Sequence, residues 1–256
     1  MFKTTARIVK KDLLQRGIYS FVLECGLIAK FAKPGQFVNI FIEGFTLRRP
    51  ISICEIFENS FRIVFSVVGK GTSKMAEWEV GKNVDVVGPL GNGFKKIDAN
   101  EKLLIVGGGI GTPPLLQLAK RARSARVIIG FKTKDLVILE EDFRKHGETI
   151  VCTDDGTYSK KGLVTKFLLE SIKNDDFTRI AACGPKPMLK EISQIAKNFK
   201  MFCEISMEGR MACGVGACLG CQCITYKEGK KQSAHVCKDG PVFKAEEVFY
   251  DKKNGG

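Results

Sequence analysis

Five of the ten cysteines, Cys213, Cys218, Cys221, Cys223 and Cys237, crowd into one stretch while the other five stand singly. Cys213, Cys218 and Cys221 form a C-x4-C-x2-C run, and Cys237 follows after a longer gap. This is the spacing of a plant-type 2Fe-2S site, in which four thiolates hold two bridged irons. Gly214, Gly216 and Gly220 fit the same purpose, because residues without a Cβ let the backbone approach a sulfide-rich cluster and aim N–H donors at sulfur. A structural zinc site competes for these thiols, although zinc more often takes two separate C-x2-C pairs. A disulfide framework is the bland alternative, and the start of the chain has no apolar signal core to accompany it. Cys223, two residues past Cys221, is expected only to pack, as are Cys25, Cys54, Cys152 and Cys203.

Three further segments suit anionic ligands. In LLIVGGGIGTPPLL, residues Gly107, Gly108, Gly109 and Gly111 put bare backbone at an expected helix N-terminus, where N–H groups and the dipole favour a pyrophosphate. Thr112 stands where a G-x-G-x-x-G run would place its last glycine, and the segment Phe131 to Asp135 leaves NAD against NADP open. In LRRPISI, Arg48 and Arg49 bring two guanidinium forks suited to phosphate, with a solvated loop as the alternative. Downstream, Gly69-Lys70-Gly71-Thr72 leads into a second short helix, so the two features together point to one dinucleotide. There is no G-x-S-x-G, H-E-x-x-H or P-loop, and of the two histidines His235 is expected on an exposed hairpin.

The elements that must position these residues fall into three blocks. Short strands at Ala6–Lys10, Ile18–Glu24, Gln36–Phe41, Ile51–Ile56, Phe61–Val68 and Asn83–Val87 are divided by Gly, Pro and Asn, with a helical piece at Thr72–Trp78. Residues 1–99 therefore read as a small antiparallel β-barrel. Residues 100–208 alternate strands (Leu103–Val106, Arg126–Phe131, Thr149–Thr153, Arg179–Ala182, Phe202–Ser206) with helices (Pro113–Ala122, Leu136–Lys145, Val164–Ile172, Pro187–Phe199), the rhythm of a parallel α/β nucleotide-binding domain. Residues 209–256 form a small cysteine-rich domain with a hairpin through Cys223–Tyr226 and Ser233–Val236. The fold class is thus multidomain α+β.

The 256 residues carry a net charge of +13, divided as +6 in residues 1–100, +6 in 101–200 and +1 in the remainder. A spread of this kind argues against a nucleic-acid-reading stripe; only Lys120, Arg121, Arg123 and Arg126 cluster, at an expected helix end that favours cations. No apolar run approaches the roughly 20 residues of a membrane span. The expected setting is cytoplasmic, with neither nucleic acid nor membrane as a partner.

Several motifs together resemble the ferredoxin reductase superfamily. They are Arg49-x-x-Ser52, Gly35-Gln36-Phe37, the segment Gly88 to Phe94, the glycine turn, and Cys183-Gly-Pro-x-x-Met188. With RMACGVGACLGC and VCKDGPVF, the chain is similar over nearly its whole length to the electron-transfer subunits of NAD-dependent, class B dihydroorotate dehydrogenases. The resemblance implies FAD in the barrel, with Arg49, Pro50, Ile51 and Ser52 along its ribityl and pyrophosphate. It puts Val64, Phe65 and Ser66 beside the isoalloxazine and Gly71 and Thr72 at the phosphates; Ser66 departs from the family's pattern by replacing a basic residue. It also implies NAD(H) among Gly108, Gly109, Ile110, Gly111, Thr112, Asp154, Asp155, Gly156, Cys183, Gly184 and Pro185, and a 2Fe-2S cluster on Cys213, Cys218, Cys221 and Cys237.

Such a protein converts two-electron into one-electron transfer, with cofactors rather than side chains carrying the chemistry. Dihydroorotate oxidation needs a further (β/α)8 barrel of about 250 residues that this chain does not house. The resemblance assigns it to an FMN-containing catalytic subunit in a heterotetramer of two copies of each, serving pyrimidine (UMP) biosynthesis. Two other readings remain: a related NAD(P)H-ferredoxin or sulfide oxidoreductase subunit with the same cofactors, and a zinc-stabilised basic binding module.

Overall fold

The computed structural model describes residues 1–249. Six strands, β1 (Phe2–Gln15), β2 (Ile18–Glu24), β3 (Phe37–Ile40), β4 (Arg49–Ile56), β5 (Ser60–Ser66) and β6 (Asn83–Leu90), close into an antiparallel barrel in the order β1-β2-β5-β4-β3-β6. Closure leaves no edge strand, and alternation sends one set of side chains inward: Ile8, Phe21, Leu23, Ile53, Phe61, Ile63 and Phe65 fill the interior. Helix α1 (Gly26–Phe31) buries Ile28 against this core, and α2 (Lys70–Ala76) inserts Met75.

The second block is a seven-stranded sheet. Strands β7 (Leu103–Gly108), β8 (Ala125–Phe131), β9 (Glu148–Thr153), β10 (Lys160–Lys161), β11 (Arg179–Cys183) and β12 (Phe202–Ser206) run parallel in the order β10-β9-β8-β7-β11-β12. Both faces are covered, which explains the nearly continuous apolar strands. Leu104, Val106 and Ile128 pack under α5 (Val164–Asn174) and α6 (Lys186–Asn198), whereas Ile105, Val127 and Ile129 join a core shared with the barrel residues Ile18, Cys54 and Val64. That shared core sets the barrel against the sheet.

The long helix expected over Leu136–Lys145 is broken. A 3-10 turn at Lys134–Leu136 is separated from α4 (Glu140–Arg144) by Leu139, whose φ is 61°. Leu139, in the left-handed region, ends the extended link and precedes the first turn of α4, and both Ile138 and Leu139 are buried in the core shared with the barrel. The helix after the glycine turn is likewise reduced to 3-10 turns at Gly109–Gly111 and Pro113–Leu115 and a six-residue α3 (Leu116–Arg121).

The cysteine-rich segment carries the hairpin β13 (Gln222–Lys227) and β14 (Lys230–His235), with Cys223 opposite Ala234. Beyond it the chain returns to the sheet: β15 (Val242–Lys244) pairs antiparallel with β12, and α7 (Ala245–Val248) buries Ala245 below.

Candidate functional site

Of the four spaced thiols, Cys221 and Cys237 are buried in a small apolar core with Phe37, Leu90 and Val236, while Cys213 is partly exposed and Cys218 exposed. The four stand as two pairs. The N–H of Cys213 points at Cys218 Sγ (3.5 Å), and the N–H of Cys237 points at Cys221 Sγ (3.4 Å). Among the described residues, no three Cys, His, Asp or Glu side chains converge on a single point as ligands of one ion. Two pairs of thiols suit a cluster of two bridged irons.

Backbone donors complete this fit. Val215 and Ala217 direct N–H groups at Cys213 Sγ (3.4 and 3.3 Å). Burial raises the Cys213 thiol, but these donors and Cys218 outweigh it and bring it down to about 6, whereas burial and then Cys221 push Cys237 up to about 12. Gly214 and Gly216 have φ of 73° and 85°, and a Cβ on Gly214 would lie 2.5 Å from Asn39 Nδ2. Asn39 also donates to the carbonyl of Cys213 (3.2 Å), which ties the loop to barrel strand β3. Cys218 is exposed at the tip beside Val215 and Leu219. Cys223 is half-buried against the same apolar core. His235 is not the exposed residue expected: its side chain is 18% accessible, with Nδ1 3.6 Å from Asp239, because its carbonyl anchors the turn that leads into Cys237.

On the barrel, Arg48 and Arg49 separate. Arg48 is an internal brace, its guanidinium on both carboxylate oxygens of Asp85 (2.9 and 3.0 Å). Arg49 lies against the first turn of α2, where a Cβ on Gly71 would come within 2.6 Å of its Nε. The guanidinium and the helix N-terminus thus form one electropositive corner. The Thr72 hydroxyl is occupied in capping, accepting from the N–H groups of Val68 (2.9 Å) and Gly69 (3.2 Å), so its part is to hold the turn. Alternation divides the neighbouring strands. Ile51 and Phe65 turn into the barrel, with Phe65 stacked on Tyr19 at 5.9 Å, while Ser52, Val64 and Ser66 have the opposite phase, and Val64 joins the core shared with the sheet. Only backbone atoms of Phe65 are left for a ligand on that outer face.

The sheet places its own site at the point where strand order reverses, between β7 and β11, the crevice where open α/β sheets bind nucleotides. Gly108 to Thr112 and Cys183, Gly184 and Pro185 meet here. A Cβ on Gly111 would lie 2.6 Å from both the Cα and the N of Gly184, and one on Gly108 would lie 2.6 Å from Met188 Sδ. The Thr112 hydroxyl is buried without a hydrogen-bond partner. With α3 so short, the dipole expected behind the glycine turn belongs instead to the 13-residue α6, which starts directly after Pro185. Burial pushes the Cys183 thiol up to about 12, leaving it a neutral small side chain. Asp154, Asp155 and Gly156 follow β9 at the same end of the sheet and are joined to the turn after β8 through Asp155 N–H to Lys132 O (3.4 Å). The Asp155 carboxylate is held below its usual range by the N–H and hydroxyl of Thr157. The turn Gly109–Gly111 also touches β5, so the barrel face and the crevice adjoin.

Glu208, just beyond β12, carries no motif and its role is not legible from spacing. Its carboxyl is open to solvent at the crevice yet surrounded by enough protein to be pushed up by burial.

Comparison with known proteins decides the family. Residues 208–249 match the iron-sulfur cluster binding domain of dihydroorotate dehydrogenase B. The chain is 38% identical over 250 residues to the "dihydroorotate dehydrogenase B (NAD(+)), electron transfer subunit" of Caldanaerobacter subterraneus subsp. tengcongensis, covering 97% of this chain and 99% of that protein. It is 42% identical over 260 residues to the protein of the same name from Bacillus mycoides, again covering 97% and 99%. The chain belongs to the family of dihydroorotate dehydrogenase B electron-transfer subunits. Among solved structures, the NADH-dependent reduced ferredoxin-NADP oxidoreductase described for flavin-based electron bifurcation superposes with a TM-score of 0.86 at 32% identity, covering 95% of this chain and 89% of that one. The ferredoxin reductase of carbazole 1,9a-dioxygenase shares the fold (TM-score 0.67, 19% identity, 78% and 66% covered). As an electron-transfer subunit of this family the chain is an oxidoreductase component using FAD, NAD(H) and a 2Fe-2S cluster, and its family implies a catalytic dihydroorotate dehydrogenase partner.

Proposed function

We propose that Cys213, Cys218, Cys221 and Cys237 would hold the cluster, and that the protein relays electrons between an FMN-containing dihydroorotate-oxidising subunit and NAD. The pairing of the thiols is the observation that carries this reading. Bound FAD supplies the change between hydride and single-electron transfer. The chain's own residues bind and orient. Arg49 neutralises the flavin pyrophosphate, Gly71 and Thr72 present the helix turn to it, and Pro50, Ile51 and Ser52 line the ribityl chain. Val64, Ser66 and the backbone of Phe65 form the flavin shelf. Gly108, Gly109, Ile110, Gly111 and Thr112, with Cys183, Gly184 and Pro185, receive the nicotinamide half of NAD, while Asp154, Asp155 and Gly156 border the other half. Neutral Cys183 fits a packing role against the nicotinamide.

Cys218, Val215 and Leu219 form the exposed tip, and this tip is the face proposed for the catalytic subunit, from which electrons would enter, in a cytoplasmic assembly of two copies of each chain. Among the described residues no helix is long and apolar enough to cross a membrane. The test is the purified protein's visible spectrum and iron content. A flavin envelope with a broad iron-sulfur shoulder, two irons per chain and bleaching by NADH are expected; a colourless, zinc-loaded protein refutes the reading. The 0.86 TM-score to a bifurcating reductase favours a second reading, in which the partner handles ferredoxin. Co-purification separates them: the first requires an FMN protein that oxidises dihydroorotate, with light scattering giving the mass of two of each.

A further inference from the structure

A cavity of about 760 Å³ opens between the barrel and the sheet, within the range of small-molecule sites. Its walls are Lys33 and Gln36 from the barrel, the connecting segment Gly91 to Ile97, and Leu118 and Arg121 from α3. None of these residues belongs to the flavin, nicotinamide or cluster sites. The cavity also lies at the other edge of the sheet. From the glycine turn at the C-terminal ends of the strands, the 3-10 turns and α3 run back toward their N-terminal ends, where Arg121 and the start of β11 are found.

The walls are built rather than incidental. Arg179, 1% exposed at the first position of β11, donates to the carbonyls of Lys95 (2.9 Å) and Lys96 (3.3 Å) and fixes the backbone from which those two side chains project. On the barrel side Gln36 Nε2 donates to Gly91 O (2.6 Å), and Phe94 N–H donates to Pro34 O (2.9 Å). Phe94, Ile97 and Leu118 supply an apolar floor. Around it stand Lys33, Lys96 and Arg121, with Lys95 beside them stacked on the Phe202 ring at 4.8 Å, and no carboxylate lines the cavity. The basic group at the end of α3 is otherwise consumed in part: Lys120 pairs with Glu55 and Arg126 with Glu148 and Asp175, each at 2.8 Å. No ion pair engages Arg121 among the described residues. An apolar floor rimmed by cations from two domains matches a flat ring carrying phosphate.

We propose that this cavity is a second nucleotide site, taking a nucleoside phosphate with its base on Phe94, Ile97 and Leu118 and its phosphate on the lysines and Arg121. Because the ligand would touch barrel, connecting segment and α3 together, it would bias the angle between the flavin and nicotinamide domains. The site stands independently of the partner assigned above.

The test uses the holoenzyme saturated with NAD, so that the nicotinamide crevice is filled. Equilibrium dialysis with UMP, ATP and inorganic pyrophosphate is compared between wild type and Lys96→Glu/Arg121→Glu. Saturable binding of UMP or ATP at one site per chain is expected, weakened at least tenfold by the double substitution and by raised salt, with NADH oxidation by an artificial acceptor unchanged in the absence of added nucleotide. Lys96→Gln/Arg121→Gln should weaken binding less, and it preserves the test if charge reversal disturbs folding. Absence of saturable binding to 5 mM (roughly the weakest affinity worth a site), binding unaffected by either double substitution, or pyrophosphate binding as tightly as the nucleotides would overturn the proposal.

Discussion

Replacing Arg179 by Met tests how the barrel is held to the sheet. Arg179 is buried at the start of β11, where it pairs with Glu204, reaches Glu101 at 3.1 Å and caps two carbonyls of the connecting segment. Glu204 is itself only 4% exposed. Removing one member of a buried pair strands the other charge at a cost of about 3–5 kcal/mol. At roughly 2–4 °C per kcal/mol for a chain of this size, the apparent Tm followed by circular dichroism should fall about 6–20 °C. Arg179→Met/Glu204→Gln should recover about 2 kcal/mol or more of the loss, because it removes the stranded charge. A cost below about 1 kcal/mol, or a double variant less stable than Arg179→Met, would refute the reasoning.

Three other expectations concern the sites and the contact between domains. Cys218→Ser and Cys237→Ser should each lose the iron-sulfur absorbance and iron while retaining NADH-bleachable flavin, whereas Cys223→Ser should keep both irons by colorimetric assay. Arg49→Ala should weaken FAD about 10- to 150-fold in a fluorescence titration of apoprotein, the worth of one charge-assisted hydrogen bond of about 1.5–3 kcal/mol; Arg48→Ala, which breaks a brace to Asp85 and the Asn39 carbonyl, should leave FAD affinity near wild type. Asp142 of α4 accepts from Arg62 of β5 at 2.9 Å, and although burial raises its carboxyl, Arg62 and then Lys145 bring it below its ordinary value of 3.8. A depressed carboxyl stabilises above the unfolded value and loses that contribution as pH falls through the folded one, so Asp142→Asn should lower Tm at pH 7 and change little at pH 2.5.

Much of the architecture was legible because its signals are local. Strands Ile18–Glu24 and Phe202–Ser206 fall where β-branched runs end in breakers, and α6 follows its apolar period to within one residue. Where local signals conflict with packing, packing decides, as at Leu139. Helix α1 has six residues, fewer than two helical turns, and β15 has three, too few for alternation to register. The candidate site divides the same way. The cysteine spacing is legible because ligand geometry constrains it, whereas the division of labour between Arg48 and Arg49 depends on Asp85, and the interdomain pairs Arg62–Asp142 and Lys120–Glu55 join residues 80 and 65 positions apart. No short pattern encodes such distances.

The return of the chain to the sheet after the cysteine loop has a bearing on how the protein can be taken apart. Ser206 pairs with Val242, and Met207 N–H donates to Pro241 O (2.8 Å), so the loop leaves and re-enters the sheet at neighbouring points. Cutting the chain before the loop would remove β15 and bare the edge of β12, with Ile205 and Phe243 separated from each other. Replacing residues 209–240 with a short turn would instead keep the sheet closed. In topological terms the iron-sulfur module is a cassette held at both ends by the nucleotide-binding sheet, removable without a terminus ever being exposed.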